Sequence, residues 1–269
     1  MDDSEANADI EPILAELRWR TGVDFSRYRP ATIRRRVHNR MISVGAATFD
    51  EYLVHLRQSV AEAELLLDRL AIKVSRFYRH APAWDELRAT VLPALAREHR
   101  RVRIWSAACG YGEEVYTLAM LLDEAGLDGT MLGTDIDSSA IAAAEQGRYP
   151  RSAFDELPPG LVARYVLAAA DGDAACEVLP ALRRRVRFAR HDLLFAAAPE
   201  RDCDIVCCRN MLIYLRPDAR EEAFNTLVGA LRNDGHLLLG EAEWPSPAFT
   251  DALAPLSRAS RLFRKVGDR

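Results

Sequence analysis

The sequence predicts an α/β fold, an open sheet alternating with helices, preceded by an all-α module and interrupted once by a small insertion. Three observations carry that prediction. The stretch Arg103-Ile104-Trp105-Ser106-Ala107-Ala108-Cys109-Gly110-Tyr111-Gly112-Glu113-Glu114 reads as a buried strand running into a glycine turn and straight into a helix. Further apolar, β-prone runs at Met131 to Asp135, Val186 to Arg190 and Asp204 to Cys208 end on polar residues, as parallel strands do beside a ligand crevice. Before them, the first 70 or so residues show apolar spacing of the helical kind alone.

A chain of 269 residues can bury one substantial core plus a smaller module. Its net charge of -4 argues against general nucleic-acid affinity. No apolar run approaches the roughly 20 residues of a membrane span. The acidic start Met1-Asp2-Asp3-Ser4-Glu5 is unlike a signal peptide, so a cytoplasmic location without membrane insertion is expected. The cysteines Cys109, Cys176, Cys203, Cys207 and Cys208 have no metal spacing and are odd in number; they read as small core residues. The histidines also lack ligand spacing, so no metal is expected.

Taken in order, Ile13, Leu14 and Leu17 mark a helix from Ile10 to about Arg20, ended by Thr21-Gly22. A second helix starts near Ala31, with Ile33, Val37 and Met41 on one face and Arg34, Arg35, Arg36 and Arg40 on the others. Between Leu17 and Arg40, eight arginines are offset locally by Asp24 alone. That basic surface is either a solvated face tied to nearby acids or a docking face for an acidic protein helix. Helices at 48–56 and 61–71 complete the module, the second presenting Leu65, Leu66 and Leu70. The polar, aromatic stretch 73–80 is a linker suited to carry function. A helix at 83–97 then leads into the first strand.

After the glycine turn, helical spacing runs from Tyr116 to Leu122, a second strand ends on Asp135, and Ala140 to Gln146 is helical. Residues 148–185 break the βα rhythm with Pro150, Pro158-Pro159-Gly160 and Asp171-Gly172-Asp173, which marks an inserted subdomain; few β-branched residues predict short strands there. A helix from Asp218 to Leu231, the turn Asn233-Asp234-Gly235, and strands at 236–239 and 261–265 close a mixed sheet. The organisation is thus 1–80 for the helical domain and linker, and 81–269 for the sheet domain.

The turn also speaks about its ligand. Ala108, Gly110 and Gly112 depart from the dinucleotide pattern, and Glu113-Glu114 stand where a pyrophosphate would sit at a helix start. Two carboxylates repel phosphate but suit a cationic cofactor free of phosphate, such as S-adenosylmethionine. The simpler reading is that both favour the helix dipole, worth about 0.3–1 kcal/mol. Asp135, at a strand end roughly 20 residues beyond the turn, reads as a ribose ligand, or else as a helix cap together with Asp137 or Ser138.

Along the chain come Thr21-Gly22-Val23-Asp24-Phe25-Ser26-x-Tyr28, Arg34-Arg35-Arg36 with Arg40-Met41, and Ser75-Arg76-Phe77-Tyr78-Arg79. Then follow Ile104-Trp105-Ser106-Ala107 to Gly112-Glu113-Glu114, Thr134-Asp135-Ile136-Asp137, Cys208-Arg209-Asn210-Met211-Leu212-Ile213-Tyr214, and Gly235 with Gly240-x-x-Glu243. On these residues the chain resembles the CheR-type chemotaxis receptor methyltransferases, nearly end to end. The resemblance implies a Rossmann-like S-adenosylmethionine-dependent methyltransferase sheet with an N-terminal all-α domain. It implies a protein-glutamate O-methyltransferase that esterifies glutamates on the helical cytoplasmic region of a methyl-accepting chemoreceptor, or a similar acidic helical signalling protein.

By the same resemblance, Ser75 and Arg79 belong to the cofactor and active-site region, together with Lys73, and Gly110 and Gly112 to the cofactor turn. Glu113 or Glu114 would meet the methionine moiety, Asp135 the ribose, and Asp192-Leu193 the adenine; Arg209-Asn210 would lie beside the cofactor. Tyr214 would stand near the transferred methyl, with Arg79 the second catalytic residue, while Arg34, Arg35, Arg36 and Arg40 would dock the receptor. Lys73, Ser75, Ala108 and Asp192 replace the family's usual Asn, Thr, Gly and Asn, and Val115 its usual Pro. Two other readings are a CheR-like module that binds S-adenosylmethionine and docks partners without turnover, and a methyltransferase of another substrate class.

Overall fold

The computed structural model describes residues 9–71, 75–98, 101–169, 175–257 and 259–267. The chain divides into two compact units, Met1–Ile72 with Tyr214–Arg220, and Lys73–Ile213 with Glu221–Arg269.

In the first unit, α1 (Glu11–Thr21), α2 (Pro30–Ser43), α3 (Phe49–Gln58) and α4 (Val60–Leu70) follow the predicted periodicity. Their ends have local causes. Gly22, at φ 74°, closes α1 with its amide on the Arg18 carbonyl. Pro30 opens α2, and the Thr48 and Ser59 hydroxyls cap α3 and α4 by accepting from the Glu51 and Glu62 amides. Ile13, Leu17, Ile33, Val37, Met41, Tyr52, Leu56, Leu66 and Leu70 form the core. Leu65 is a correction, since it points outward and is 48% exposed.

One ion pair lies inside this core. The buried Glu62 carboxylate accepts from Arg40 Nε at 2.7 Å, Arg40 Nη2 at 2.6 Å and the Tyr52 hydroxyl at 2.7 Å. Burial pushes the Glu62 carboxyl up, but the bonds from Arg40 and Tyr52 outweigh it and hold the group below its ordinary value.

The second unit is built on a seven-stranded sheet. Its strands are β1 (Val102–Ala107), β2 (Gly129–Asp135), β6 (Val186–Arg190), β7 (Cys203–Cys208), β8 (Leu231–Leu239), β9 (Leu253–Ser257) and β10 (Leu262–Lys265). They stand in the order β6-β2-β1-β7-β8-β10-β9. The first five run parallel, and β10 lies antiparallel to both its neighbours, so the sheet is mixed. β9 was not predicted: Pro255 within it cannot donate to a ladder and is tolerated because the strand is an edge.

The connecting helices bury the faces of the sheet. A helical run opens as α5 (Ala81–Glu86), passes through a π turn at Leu87–Val91 and continues as α6 (Leu92–Arg97). Pro93, which has no amide to give, stands just past that π turn. Then come α7 (Glu113–Glu124), with Glu113 through Leu122 all buried, and α8 (Ser138–Gln146). The insertion is a second sheet, β3 (Arg148–Pro150), β4 (Val166–Ala168) and β5 (Ala175–Val178), in the antiparallel order β3-β5-β4. Its strands are three or four residues long, as the composition predicts. It also holds α9 (Pro159–Tyr165) and α10 (Pro180–Arg183), and α11 (Pro217–Ala230) follows β7.

All five cysteines are buried and free, and burial pushes the Cys203 thiol up to about 12, as fits core residues. Among the described residues no group of His, Cys, Asp or Glu could hold a metal ion, and no helix is long and apolar enough to cross a membrane.

The Arg40 and Glu62 pair gives the first test. Arg40→Ala leaves a buried carboxylate without its cation and is expected to cost about 3 kcal/mol in urea or thermal unfolding. An unchanged unfolding midpoint would show that the pair is not structural.

Candidate active site

The site is built where β1, β2, β6 and β7 end. After β1 the chain turns through Ala108 and Gly110, both at φ 55°, and Gly112 at φ 89°. The two glycines serve different ends. A Cβ on Gly112 would come within 2.9 Å of the Ala144 Cβ and of the Phe188 ring, so only glycine lets α7 pack here. A Cβ on Gly110 would meet nothing within 4 Å, which leaves its backbone open to close approach by a ligand.

Asp135, at the end of β2, spans the turn. Its Oδ2 accepts from the Gly110 amide at 2.9 Å and its Oδ1 from the Asp137 amide at 3.0 Å. The capping role falls to Asp137, whose Oδ1 accepts from the Ser139 amide at 2.7 Å and the Ala140 amide at 3.3 Å. The Asp135 carbonyl accepts from the His191 amide, which joins the end of β6 to the same place. There Leu193 is buried, and Asp192 Oδ1 turns inward to accept from the Leu194 amide at 3.0 Å.

The paired glutamates at the start of α7 differ sharply. Glu114 is engaged within the protein: Ser106 Oγ donates to Oε1 at 2.8 Å and Arg209 Nη1 to Oε2 at 3.3 Å. Glu113 accepts from the Ser75 side chain but keeps a buried Oε2 with no partner. Burial raises its pKa to about 7, against the lowering effect of its own backbone bond and of Ser75, while Glu114 adds to the rise. An anionic acceptor in a dry site without a cation is costly. Glu113 Oε2 is therefore open to a positively charged ligand group, and the residue fits a cofactor that carries an ammonium.

Arg209 links this pair to the 75–80 segment. Its guanidinium, 5% exposed, lies 4.8 Å over the Trp84 ring and donates through Nη2 to the Arg79 carbonyl at 2.6 Å. The Trp84 indole donates to the same carbonyl at 2.9 Å. Tyr78 and His80, at φ 58° and 63°, flank Arg79 in left-handed conformations that L residues adopt at a cost. The clamp on the Arg79 carbonyl and the Tyr78 hydroxyl bond to Asp85 at 2.7 Å hold them there.

Asn210, also left-handed at φ 62°, is held by a residue whose part emerges only in three dimensions. The buried Glu243 accepts from the amides of Gly240, Asn210, Leu212 and Ile213 at 2.7, 2.9, 2.8 and 3.3 Å. Gly240-x-x-Glu243 was visible as a motif, but nothing in the spacing says that the carboxylate organises a loop some 30 residues earlier. At the strand ends Gly110 thus meets Asp135, Ser75 meets Glu113, and Arg209 meets both Glu114 and Arg79, while Glu243 holds Asn210. Lys73 lies outside the described residues.

The remaining predicted residues belong to the helical unit. Tyr214 has its carbonyl on the Arg29 amide at 2.8 Å, and Leu215 bridges Tyr28. The arginines of α2 are less free than their sequence implied, because acids reach them from outside that stretch. Arg34 is paired with Asp9 and lies over Phe49, and Arg40 is fixed to Glu62. Arg20 meets Glu16 and Arg27 approaches Asp218 at 4.0 Å. Arg36 gives Nη1 to the Arg69 carbonyl at 2.6 Å, and Arg35 is exposed.

Parallel strands that end on a glycine turn with an open backbone, an acid across it and a buried carboxylate oxygen without a partner at the helix start fit a class, the S-adenosylmethionine-dependent methyltransferases. Comparison with known families narrows the class. The CheR methyltransferase, SAM binding domain, matches residues 73–255, and the CheR methyltransferase, all-alpha domain, matches 8–71. A chemotaxis protein methyltransferase of Listeria monocytogenes is 33% identical over 82% of this chain and 84% of its own. Two from Pseudomonas aeruginosa, chemotaxis protein methyltransferases 1 and 2, are 31% and 29% identical over 89% and 96% of this chain and 91% and 90% of theirs. The chain belongs to the CheR methyltransferase family, and its cofactor is S-adenosylmethionine.

Glu113 gives this site a pH dependence. Its folded pKa of about 7 lies above the ordinary carboxyl value, so the empty protein loses stability at this group, on the order of 3 kcal/mol, as pH rises from 4.5 to 7. A bound ammonium offsets that loss. Affinity for S-adenosylmethionine or S-adenosylhomocysteine is expected to strengthen from pH 5.5 to 7.5, below the range of about 7.7–8.0 where an α-amino group deprotonates. In Glu113→Gln the rise should vanish; the same slope in both proteins would exclude Glu113 as the acceptor.

Proposed function

We propose that this CheR-family protein transfers a methyl group from S-adenosylmethionine to a glutamate side chain on an acidic helical signalling protein of the chemoreceptor kind, in the cytoplasm. The observation that carries the reading is the division of charge between the units. The sheet unit collects carboxylates, Glu113 and Asp135, around the turn, whereas the helical unit leaves guanidiniums at Arg35, Arg36 and Arg69 facing a cleft. The first suits a cationic cofactor with a ribose, the second an anionic macromolecule.

When bound, S-adenosylmethionine supplies a methyl made electrophilic by its cationic sulfur. The chain's own residues have to place a nucleophile and keep it unhydrated. A glutamate with a pKa of about 4.3 is already anionic at neutral pH, so no general base is needed. A substrate carboxylate oxygen would take that methyl, the cofactor's sulfur keeping the electron pair of the bond it gives up. Glu113 would hold the cofactor's ammonium and Asp135 its ribose hydroxyls, with Ser75 orienting Glu113 and Leu193 with Asp192 beside the base. Arg79, fixed through its carbonyl by Arg209 and Trp84, is the residue proposed to pair its guanidinium with the substrate carboxylate. Arg209 itself acts by position, since its own guanidinium is engaged with Glu114, Trp84 and Arg79.

The test is transfer of labelled methyl to an acidic receptor fragment, with release of the label by mild alkali as the mark of an ester. Arg79→Ala is expected to lower kcat about a hundredfold or more while cofactor affinity changes little. Asp135→Ala is expected to abolish cofactor binding. Alkali-stable label, or full turnover in Arg79→Ala, would contradict the proposal; binding without any transfer would favour a docking module.

A further inference from the structure

In the helical unit, Arg35, Arg36, Asn39, Arg40, Ser43 and Arg69 line a cleft of about 330 Å³. Its charge is unusual. Arg40 is neutralised by Glu62, but the other three guanidiniums face the cleft without an acid among its lining residues. Arg35 and Arg69 are exposed and form no ion pair among the described residues. Arg36 is partly buried, and its Nε is enclosed with no acceptor, although Nη1 is satisfied by the Arg69 carbonyl. Burial works against the Arg36 charge, and the neighbouring Arg35 opposes it further. Three like charges crowded around one cleft, one of them with an unsatisfied donor, repel each other until an anion enters.

The lining also says what kind of anion. It carries no aromatic ring and no aliphatic residue, so it offers no surface for a nucleobase or an acyl chain. What it offers is donors, three guanidiniums with the Asn39 amide beside them, the Ser43 hydroxyl being spent on the Asn39 carbonyl. A glutamate side chain brings one charge and two oxygens. A diphosphate brings about three charges and several terminal oxygens in a small volume, and matches the three uncompensated cations one for one.

We propose that this cleft is a binding site for a diphosphate group, either free pyrophosphate or the diphosphate end of a nucleotide, held by Arg35, Arg36 and Arg69 with the Asn39 amide as a neutral donor. Because the same guanidiniums serve the docking surface proposed above, a diphosphate in the cleft and an acidic helix on it exclude each other. This regulatory consequence rests on the docking reading; the binding itself does not.

The experiment is calorimetric titration of the full chain with inorganic pyrophosphate in magnesium-free buffer, beside ADP, orthophosphate and citrate at matched ionic strength. Pyrophosphate and ADP are expected to bind alike and at least tenfold tighter than orthophosphate or citrate. In the double variant Arg35→Gln with Arg69→Gln, both at exposed positions, pyrophosphate affinity should fall about a hundredfold, roughly tenfold per charged contact, with the melting temperature retained. ADP binding much tighter than pyrophosphate would locate its site elsewhere and overturn the assignment. So would pyrophosphate no tighter than citrate, or unaffected by the double variant. A receptor-fragment assay separates the two readings. Pyrophosphate that binds through these arginines and raises the apparent KM supports both, whereas the same binding with an unchanged KM supports the anion site and removes the docking reading.

Discussion

Two carboxylates side by side at the start of one buried helix must be kept from neutralising each other's purpose, and the Arg209 guanidinium does this. By taking Glu114 into a buried pair, it leaves Glu113 as the open acceptor of the two, raised to about 7 by its surroundings. The same guanidinium stacks on Trp84 and anchors the Arg79 carbonyl, so the charge of the cofactor pocket and the geometry of the proposed catalytic arginine hang on one side chain. A buried pair of this kind earns little net stability by itself. Its worth lies in which oxygen it leaves unoccupied.

Much of this was legible in the sequence. The strand, glycine turn and helix of residues 102–124 follow from apolar runs and two glycines, and Asp135 is marked by its distance from the turn. The helical unit follows from spacing and caps alone. What escaped depended on contacts distant in the chain. Nothing local separates Glu113 from Glu114, because Ser106 and Arg209 make the difference. Nor does it show that Arg40 is tied to a buried acid, because its partner Glu62 lies two helices further along the chain. β9 was hidden by its proline, and Glu243 by the sequence distance to the loop it holds.

Charge reads differently once the fold is known. From the sequence, the arginines of α1 and α2 look like one continuous basic face. In the structure several of them are consumed by Asp9, Glu16, Asp24 and Glu62, and the unpaired charge contracts to the cleft of Arg35, Arg36 and Arg69. A smaller, concave patch is more selective than a stripe, since it distinguishes anions by shape as well as by sign.

The central claim is that Glu113 is the acceptor kept for the cofactor's cation. It is tested most directly by calorimetry of S-adenosylhomocysteine binding at pH 6.5 in buffers of different ionisation enthalpy. With a folded pKa of about 7, most Glu113 carboxyls are protonated before binding and must ionise to meet the ammonium. The wild type should then release a large fraction of one proton on binding, and Glu113→Gln none. Binding of the wild type with no proton released would contradict the claim and return the ligand's cation to another residue.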